Sequence, residues 1–491
     1  MTTVPYAFAR NNEVVVTGDH CHFTSHTPLL ALAEAQRVAG QALNFRTVST
    51  TFLTDIMEDT YRDSASAAAG AAVQASDQGA TDLASLADTA AAVDDLLDQR
   101  ADAPVVRLIN AILLEAIRAR ASDVHIDVEE SQLVVRFRVD GVLREALTSN
   151  RALAPQLVSR VKVMGRLDIA EKRLPQDGRV SLRVAEFHLD ARISTIPTQH
   201  GERVVMRLLD RGQTRSGVVG LGMSDHMRAA FEGLLNRPDG LILVTGPTGS
   251  GKTTTLYAGL DALNNLERNI MTIEDPIEYA LPGIAQMQVN TATDLTFARG
   301  LRALLRQDPN VIMVGEIRDG ETAQVAVESA MTGHLVMSTL HTNSAIGSIA
   351  RLIDLGVERF LLAPMLRGLI AQRLVRQTCA RCAAAHTITE SEAALLSHAL
   401  TAGETTLAGL GCDTCNHTGF HGRLALYDLV EVTPELERAI TDGASETELA
   451  QLLNRAFPGL LSDGVDKIRD GLTTPQEVAR VVFEMAQDAG I

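Results

Sequence analysis

Eight consecutive residues, GPTGSGKT from Gly246 to Thr253, have the composition of a loop that holds phosphate. Gly246, Gly249 and Gly251, with Pro247, Thr248 and Ser250 between them, let the backbone wrap closely around anionic oxygens, and exposed N–H groups and a helix N-terminus face the negative charge. Lys252 reaches the terminal phosphates, the Thr253 hydroxyl can bind Mg2+, and Thr254 follows in the same first turn. The setting agrees with the motif. LILVT before it reads as a buried strand and TTTLYAGLDAL at its end as a helix, a context that a chance glycine-rich turn lacks.

A phosphate cradle binds nucleotide, whereas hydrolysis also needs a group to orient water and charges to offset the transition state. In VIMVGEIRD the carboxylate of Glu316 lies just past a buried strand, on the edge where ligands gather in α/β sheets, and is placed to position or activate water. In MTIEDPIEY, Glu274 and Asp275 also end a strand, and Glu274 is a candidate to hold Mg2+ or its water shell. In GHLVMSTLHTN, His334 and His341 bracket the next strand as candidates to sense the γ-phosphate or to link the site to a neighbouring subunit. A carboxylate at a strand end also serves as a helix cap and a lone histidine as a satisfied structural residue, so those readings stand beside the functional ones.

A second constellation is Cys379-Ala-Arg-Cys382 with Cys412-Asp-Thr-Cys415. Each pair puts two thiols on a tight turn, and four thiolates suit tetrahedral Zn2+ with no open position, a structural site. Unmetallated thiols and redox pairs are the rival readings. The helix expected over Thr389 to Ala402 fills the loop between the pairs. Cys21 is left over as an inert thiol.

The elements that must position these groups follow from pattern. A chain of 491 residues exceeds one core, and three or four domains are expected. Residues 1–62 carry a short strand pattern at Glu13 to Thr17 and a helical one at Leu29 to Ala42. Residues 63–101 are rich in Ala, Ser and Asp and read as a linker. Residues 102–211 form an α+β domain: a helix with Val105, Leu108, Ile109, Ile112, Leu113 and Ile117 on one face, a hairpin turning at Asp140-Gly141, and strands at Arg179 to Val184 and Phe187 to Ser194. A glycine-rich linker, 212–225, leads to an α/β domain over 226–376, in which apolar runs at Leu241 to Thr245, Ile270 to Ile273, Val311 to Val314 and Leu335 to Met337 alternate with helices. The cysteine insertion occupies 377–424, and 425–491 is expected to be helical.

Bulk properties narrow the partners. A formal net charge of −17 disfavours nucleic acid, whose binding draws on clustered Lys and Arg. No run approaches the ~18 apolar residues that span a bilayer, and the start lacks a basic region followed by an apolar one, so a cytoplasmic protein is expected.

GPTGSGKTTTLY, MTIEDPIEY, RQDPNVIMVGEIRD and GHLVMSTLHTN resemble the Walker A, Asp box, Walker B and His box of the GspE/PilB family of secretion ATPases. APVVRLINAILLEAIRARASDVHID, LVVRFRVDGVLRE, RLPQDGR and STIPTQHGERVVMRLL are similar to the domain preceding the motor in that family, so the likeness runs from about residue 100 to the end. It implies a RecA-like motor, a homohexameric ring, and ATP with Mg2+ gripped between two domains. Arg192, Arg203 and Arg207 match positions that reach the phosphates in similar proteins; guanidinium groups suit that task, although ordinary strand-surface charge is the plainer reading. Gly315 stands where a Walker B aspartate usually precedes the glutamate, a departure shared with similar secretion ATPases that leaves Mg2+ to Thr253, water and Glu274. The four-cysteine insertion again resembles this family.

LIAQRLVRQTC and the opening VPYAFARNNEVVV are more similar to GspE-type than to PilB-type members. That likeness implies that residues 1–62 dock on a GspL-like inner-membrane protein, so that membrane contact is indirect, and that hydrolysis drives an inner-membrane platform assembling a pseudopilus for export of folded proteins. The alternatives are a PilB-like pilus assembly ATPase, a DNA-translocating motor, and a scaffold that binds ATP without turnover.

Overall fold

The computed structural model describes residues 12–17, 20–39, 42–49, 104–184, 187–210, 217–453 and 459–488, together with Leu53, Ile56 and Leu83. The 63–101 linker lies outside the described residues apart from Leu83, as do residues 211–216 of the second linker region and the first eleven residues. Two units emerge, Met1–Gly212 and Gln213–Ile491. Among the described residues no helix is long and apolar enough to cross a membrane.

The first unit begins with strands β1 (Val14–Thr17), β2 (His20–Phe23) and β3 (Asn44–Thr47), β1 antiparallel and β3 parallel to β2. Helix Leu29–Ala39 turns Ala31 and Ala35 onto a small core with Val14, Val15, Val16 and Cys21. Helix Pro104–Arg118 then buries Leu108, Ile109, Ile112, Leu113 and Ala116, the face set by the 3.6-residue period. It covers a six-stranded antiparallel sheet ordered β6-β5-β4-β9-β8-β7, made of β4 (Ala121–Val128), β5 (Gln132–Val139), β6 (Val142–Asn150), β7 (Gln176–Val184), β8 (Phe187–Thr198) and β9 (Gly201–Asp210). Asp140 and Gly141 turn the β5–β6 hairpin with φ of 49° and 85°, the doubly left-handed turn whose twist suits two-residue hairpins.

The second unit is built on a seven-stranded sheet ordered β12-β11-β13-β14-β10-β15-β18. Its strands are β10 (Gly240–Thr245), β11 (Ile270–Glu274), β12 (Ala285–Gln288), β13 (Val311–Val314), β14 (Leu335–Leu340), β15 (Leu366–Thr378) and β18 (Phe420–Glu431). All pairs are parallel except β15 with β18. Every residue of β10, β13 and β14 is buried, because helices pack both faces of the sheet and leave no alternation to read. Between β15 and β18 a two-stranded ribbon, β16 (Ala383–Thr387) and β17 (Thr405–Gly409), carries the cysteine pairs.

Two expectations are corrected. The region 425–491 is helical only from Pro434: its first seven residues complete β18, which pairs along nearly the whole of β15. That pairing is a long-range contact that local periodicity does not carry. The helix expected over Thr389 to Ala402 runs only from Glu390 to Leu395, started by a Thr389–Glu392 capping box and ended where Ser397 and His398 adopt φ of 54° and 61°.

Helix Gly320–Met331, which follows Glu316 and is capped by Asp319, starts where the chain passes the carbonyl of Leu355: a Cβ on Gly320 would lie 2.3 Å from that oxygen. Gly320→Ala is therefore expected to destabilise the second unit by about 1–3 kcal/mol in urea unfolding, the cost of overpacking against backbone; an unchanged midpoint would contradict this packing.

Candidate nucleotide site

Parallel register brings four strand ends to one edge. Thr245 pairs with Leu340 across β10 and β14, Val314 with Ser338 across β13 and β14, and Ile273 with Val314 across β11 and β13. The glycine loop, Glu274, Glu316 and His341 all leave the sheet there, at the carboxyl edge where open α/β sheets bind ligands. His334 does not. It precedes β14, and its carbonyl accepts from the amide of Gly240 at the start of β10 (3.1 Å), so the length of the strand, about 20 Å, separates it from the loop. Its ring is engaged with the Ser329 carbonyl (2.9 Å) and the Thr332 hydroxyl (3.1 Å). The two histidines that bracket one strand therefore stand at opposite edges of the sheet.

The loop itself is shaped by backbone needs. Gly246, Gly249 and Gly251 have φ of 150°, 81° and 88°, and a Cβ at Gly246 would lie 2.5 Å from the carbonyl oxygen of Gln372. Helix Lys252–Leu263 starts from left-handed Gly251, which offers no side chain to its first amides, whereas Ser224, Thr296 and Asp319 cap other helices of the unit. Open amides at a helix N-terminus attract an anion. Inside the loop the Ser250 hydroxyl is buried with no hydrogen-bond partner, a polar atom that a phosphate oxygen would satisfy. Thr253 is half-buried in the first turn, and Pro247, Thr248, Gly249 and Thr254 are exposed.

Lys252 is only 8% exposed and its Nζ donates to the carbonyls of Gly246 (2.6 Å) and Pro247 (3.1 Å), so its ammonium is folded over the loop. Burial lowers its pKa to about 8, a shift opposed by the charge of Glu316 and reinforced by that of Arg373.

Glu316 is held on both oxygens, Oε1 by Arg318 and Oε2 by His341 Nε2 at 3.2 Å. Arg318 also reaches Asp275 at 3.5 Å. A Cβ on Gly315 would come within 3.3 Å of both Glu274 Cα and the Ile273 carbonyl, and the Gly315 amide donates to that carbonyl (2.8 Å), so β11 crowds the position where an aspartate side chain would project. Glu274 is buried and already accepts from the Tyr257 hydroxyl, from Thr272 Oγ1 (2.6 Å) and from Gln286 Nε2 (3.0 Å). The phenol of Tyr257 is pushed up by burial and by this carboxylate. Through these contacts the Glu274 oxygens tie the end of β11 to the phosphate-loop helix.

Sequence reasoning missed Arg318 and Arg373. Arg373, 4% exposed, donates to the carbonyls of Gln372 (2.9 Å) and Asn343 (3.0 Å), bridging the edge of the phosphate loop and the segment after His341. A charged residue inside the apolar run of β15 was the available signal.

The three arginines expected from the resemblance lie in the first unit. Arg192 stands opposite Arg207 across β8 and β9; Arg207 Nε is 3.0 Å from Asp123 Oδ1, and Arg203 Nε is 3.0 Å from Asp127 Oδ1. Like charges directly across a ladder repel, and Asp123 offsets part of that cost.

Cys379 Sγ and Cys412 Sγ are 3.9 Å apart, and Cys382 to Cys415 and Cys412 to Cys415 are each 3.8 Å. All four sulfurs lie within 4.8 Å of one another. A tetrahedron with Zn–S arms of ~2.3 Å has edges near 3.8 Å, while a disulfide needs ~2.05 Å, so the spacing fits a four-thiolate metal site. Burial works against ionising Cys415, but the amides of Cys412 and Gly419 together with the thiols of Cys382 and Cys412 outweigh it and its pKa falls to about 6, while burial pushes the neighbouring Cys382 up to about 12.

Residues 98–480 match the family described as type II/IV secretion system protein. The chain belongs to that family. Residues 3–61 match a domain family of GSPII protein E. The chain is 49% identical over 488 residues to type II secretion system protein E of Dickeya dadantii strain 3937, covering 98% of this chain and 97% of that one. It is 52% identical over 456 residues to the protein of the same description from Pseudomonas aeruginosa, covering 93% and 90%. Type II secretion system ATPase E of Vibrio cholerae is 47% identical over 490 residues, with 98% and 97% covered. Among solved structures, the pilus retraction motor PilT with bound ADP aligns at TM-score 0.52 and 28% identity over 76% of this chain and 96% of its own. The Legionella pneumophila ATPase DotB aligns at TM-score 0.57 and 20% identity over 77% and 95%, a likeness of fold. The chain is an ATPase of the secretion family with a RecA-like α/β motor fold.

Because the cation is the form that pairs with phosphate, nucleotide affinity is expected to fall as pH rises past about 8, by up to tenfold per unit until the complex itself loses the proton. Titration calorimetry with ADP from pH 7 to 9.5, in buffers of different ionisation enthalpy, would also register proton uptake above pH 8. A flat affinity profile without proton uptake would contradict the burial of Lys252.

Proposed function

We propose that this chain is the ATP-hydrolysing motor of a type II protein secretion system, working in the cytoplasm as a homohexamer. The observation that carries the reading is the convergence of the phosphate loop with the Glu316–His341 pair at one sheet edge, in a chain similar over almost its whole length to type II secretion ATPases. ATP is the substrate. Lys252 leaves its carbonyl partners to meet the terminal phosphates, Ser250 and the loop amides bind the remaining oxygens, and Glu316, aimed by Arg318 and His341, orients water and takes its proton. Mg2+, held through Thr253, would neutralise charge on the transferring group.

Cys379, Cys382, Cys412 and Cys415 would hold Zn2+ as a structural clip on the connection between β15 and β18. Residues 1–62 dock on a GspL-like inner-membrane protein. Through it the motor acts on an inner-membrane platform, so its contact with the membrane is indirect and involves no nucleic acid.

Glu316→Gln is expected to retain nucleotide binding and to lose turnover by about 10²–10⁴-fold, and undiminished turnover would remove Glu316 from the chemistry. Cys382→Ser should reduce zinc, about one per chain in the parent protein, and lower the melting temperature of the second unit; unaltered zinc by elemental analysis would reject the four-thiolate site.

A further inference from the structure

β15 outlasts its neighbour. Its last pair with β10 is Ala371 opposite Thr245, yet it runs on to Thr378, so the residues after Ala371 lie beside the loop that leaves β10. The first of them, Gln372, is a primary amide only 2% exposed, following the apolar stretch at residues 369–371. A buried amide is costly unless its polar atoms are used.

Its atoms meet both ends of the phosphate loop. The Gln372 carbonyl oxygen lies where a Cβ on Gly246 would come within 2.5 Å, and its Nε2 where a Cβ on Gly251 would come within 2.8 Å. Its Oε1 accepts from the hydroxyl of Thr255 (2.8 Å), a residue with no exposure in the first turn of the helix that follows the loop. Arg373 Nη1 donates to the same Gln372 carbonyl (2.9 Å) and fixes it in place. One residue, more than a hundred positions away in sequence, thus seats the glycine that opens the loop, the glycine that closes it and the helix start beyond.

We propose that Gln372 is the positioning residue of the phosphate loop, holding it in its nucleotide-ready shape before substrate arrives. This rests on the reading of Gly246–Thr253 as the nucleotide cradle. A loop with three left-handed glycines has many conformations to lose, and holding it ready removes that cost from binding. When only a fraction of molecules has the ready loop, apparent affinity falls by that fraction, for ATP and ADP alike. The chemical step, which begins after the loop has closed on phosphate, is untouched; the signature is uniform binding.

The test uses the full chain carrying Gln372→Leu, which keeps bulk and removes the Gln372–Thr255 hydrogen bond. KM for ATP and Kd for ADP should rise together by about five- to fiftyfold, with kcat within about threefold of the parent. Thr255→Val should raise both constants in the same direction, Thr255→Ser should restore them, and the double variant Gln372→Leu with Thr255→Val should cost less than the sum of the two, because each single change already removes the same hydrogen bond. A lower melting temperature with parental KM and Kd would reduce Gln372 to a packing residue and overturn the proposal, as would a fall in kcat at constant KM. If Gln372→Leu does not fold, the Val and Ser substitutions at Thr255 decide alone: parental constants in the valine variant overturn it. Failure of the parent protein to bind ATP would instead strike the cradle assignment itself.

Discussion

An ammonium group taken out of water must be met by other polar atoms or lose its proton, and the fold around Lys252 is organised by that demand. Two loop carbonyls meet it, and these are partners a phosphate can replace. Its charge is therefore held in reserve. The glycine conformations that bring the carbonyls round, the helix start that leaves amides open, and the buried hydroxyl of Ser250 belong to the same requirement, that anion binding be favoured over self-satisfaction.

The sheet gives this arrangement its precision. Buried parallel strands cannot slip by one residue without moving every side chain to the other face, so the ends of β10, β11, β13 and β14 are fixed relative to one another. Crowding at Gly315 follows from that closeness, while Glu274 accepts from Tyr257, Thr272 and Gln286. Glu316 keeps contact with solvent and is held by two flanking partners, Arg318 and His341. At the far end of the sheet the cysteine turns close on each other where Gly409 and Gly419 approach so tightly that a Cβ on Gly409 would lie 2.0 Å from the Gly419 carbonyl.

Much of this was legible because its residues are contiguous. The phosphate loop, the cysteine pairs and the apolar strands declare themselves within a few positions, and the hairpin at Asp140-Gly141 follows from turn chemistry alone. What escaped the sequence depends on partners far away along the chain. His334 and His341 look equivalent until parallel pairing with β10 assigns them to opposite edges. Glu274 looks available until Tyr257, seventeen positions earlier, is folded against it. β18 needs the length of β15 beside it before its apolar run becomes a strand. Gln372 and Arg373 read as interruptions of an apolar segment, and their meaning comes from the loop lying over them.

Nucleotide binding at this site depends on main-chain amides of Gly249 to Thr253 receiving phosphate. Hydrogen exchange of those amides, followed by mass spectrometry with and without a slowly hydrolysed Mg-ATP analogue, tests this most directly. Strong slowing confined to peptides spanning the loop and the first turn of its helix is the predicted result; saturating nucleotide that leaves these amides exchanging at their free rate, while protecting another part of the chain, would contradict it.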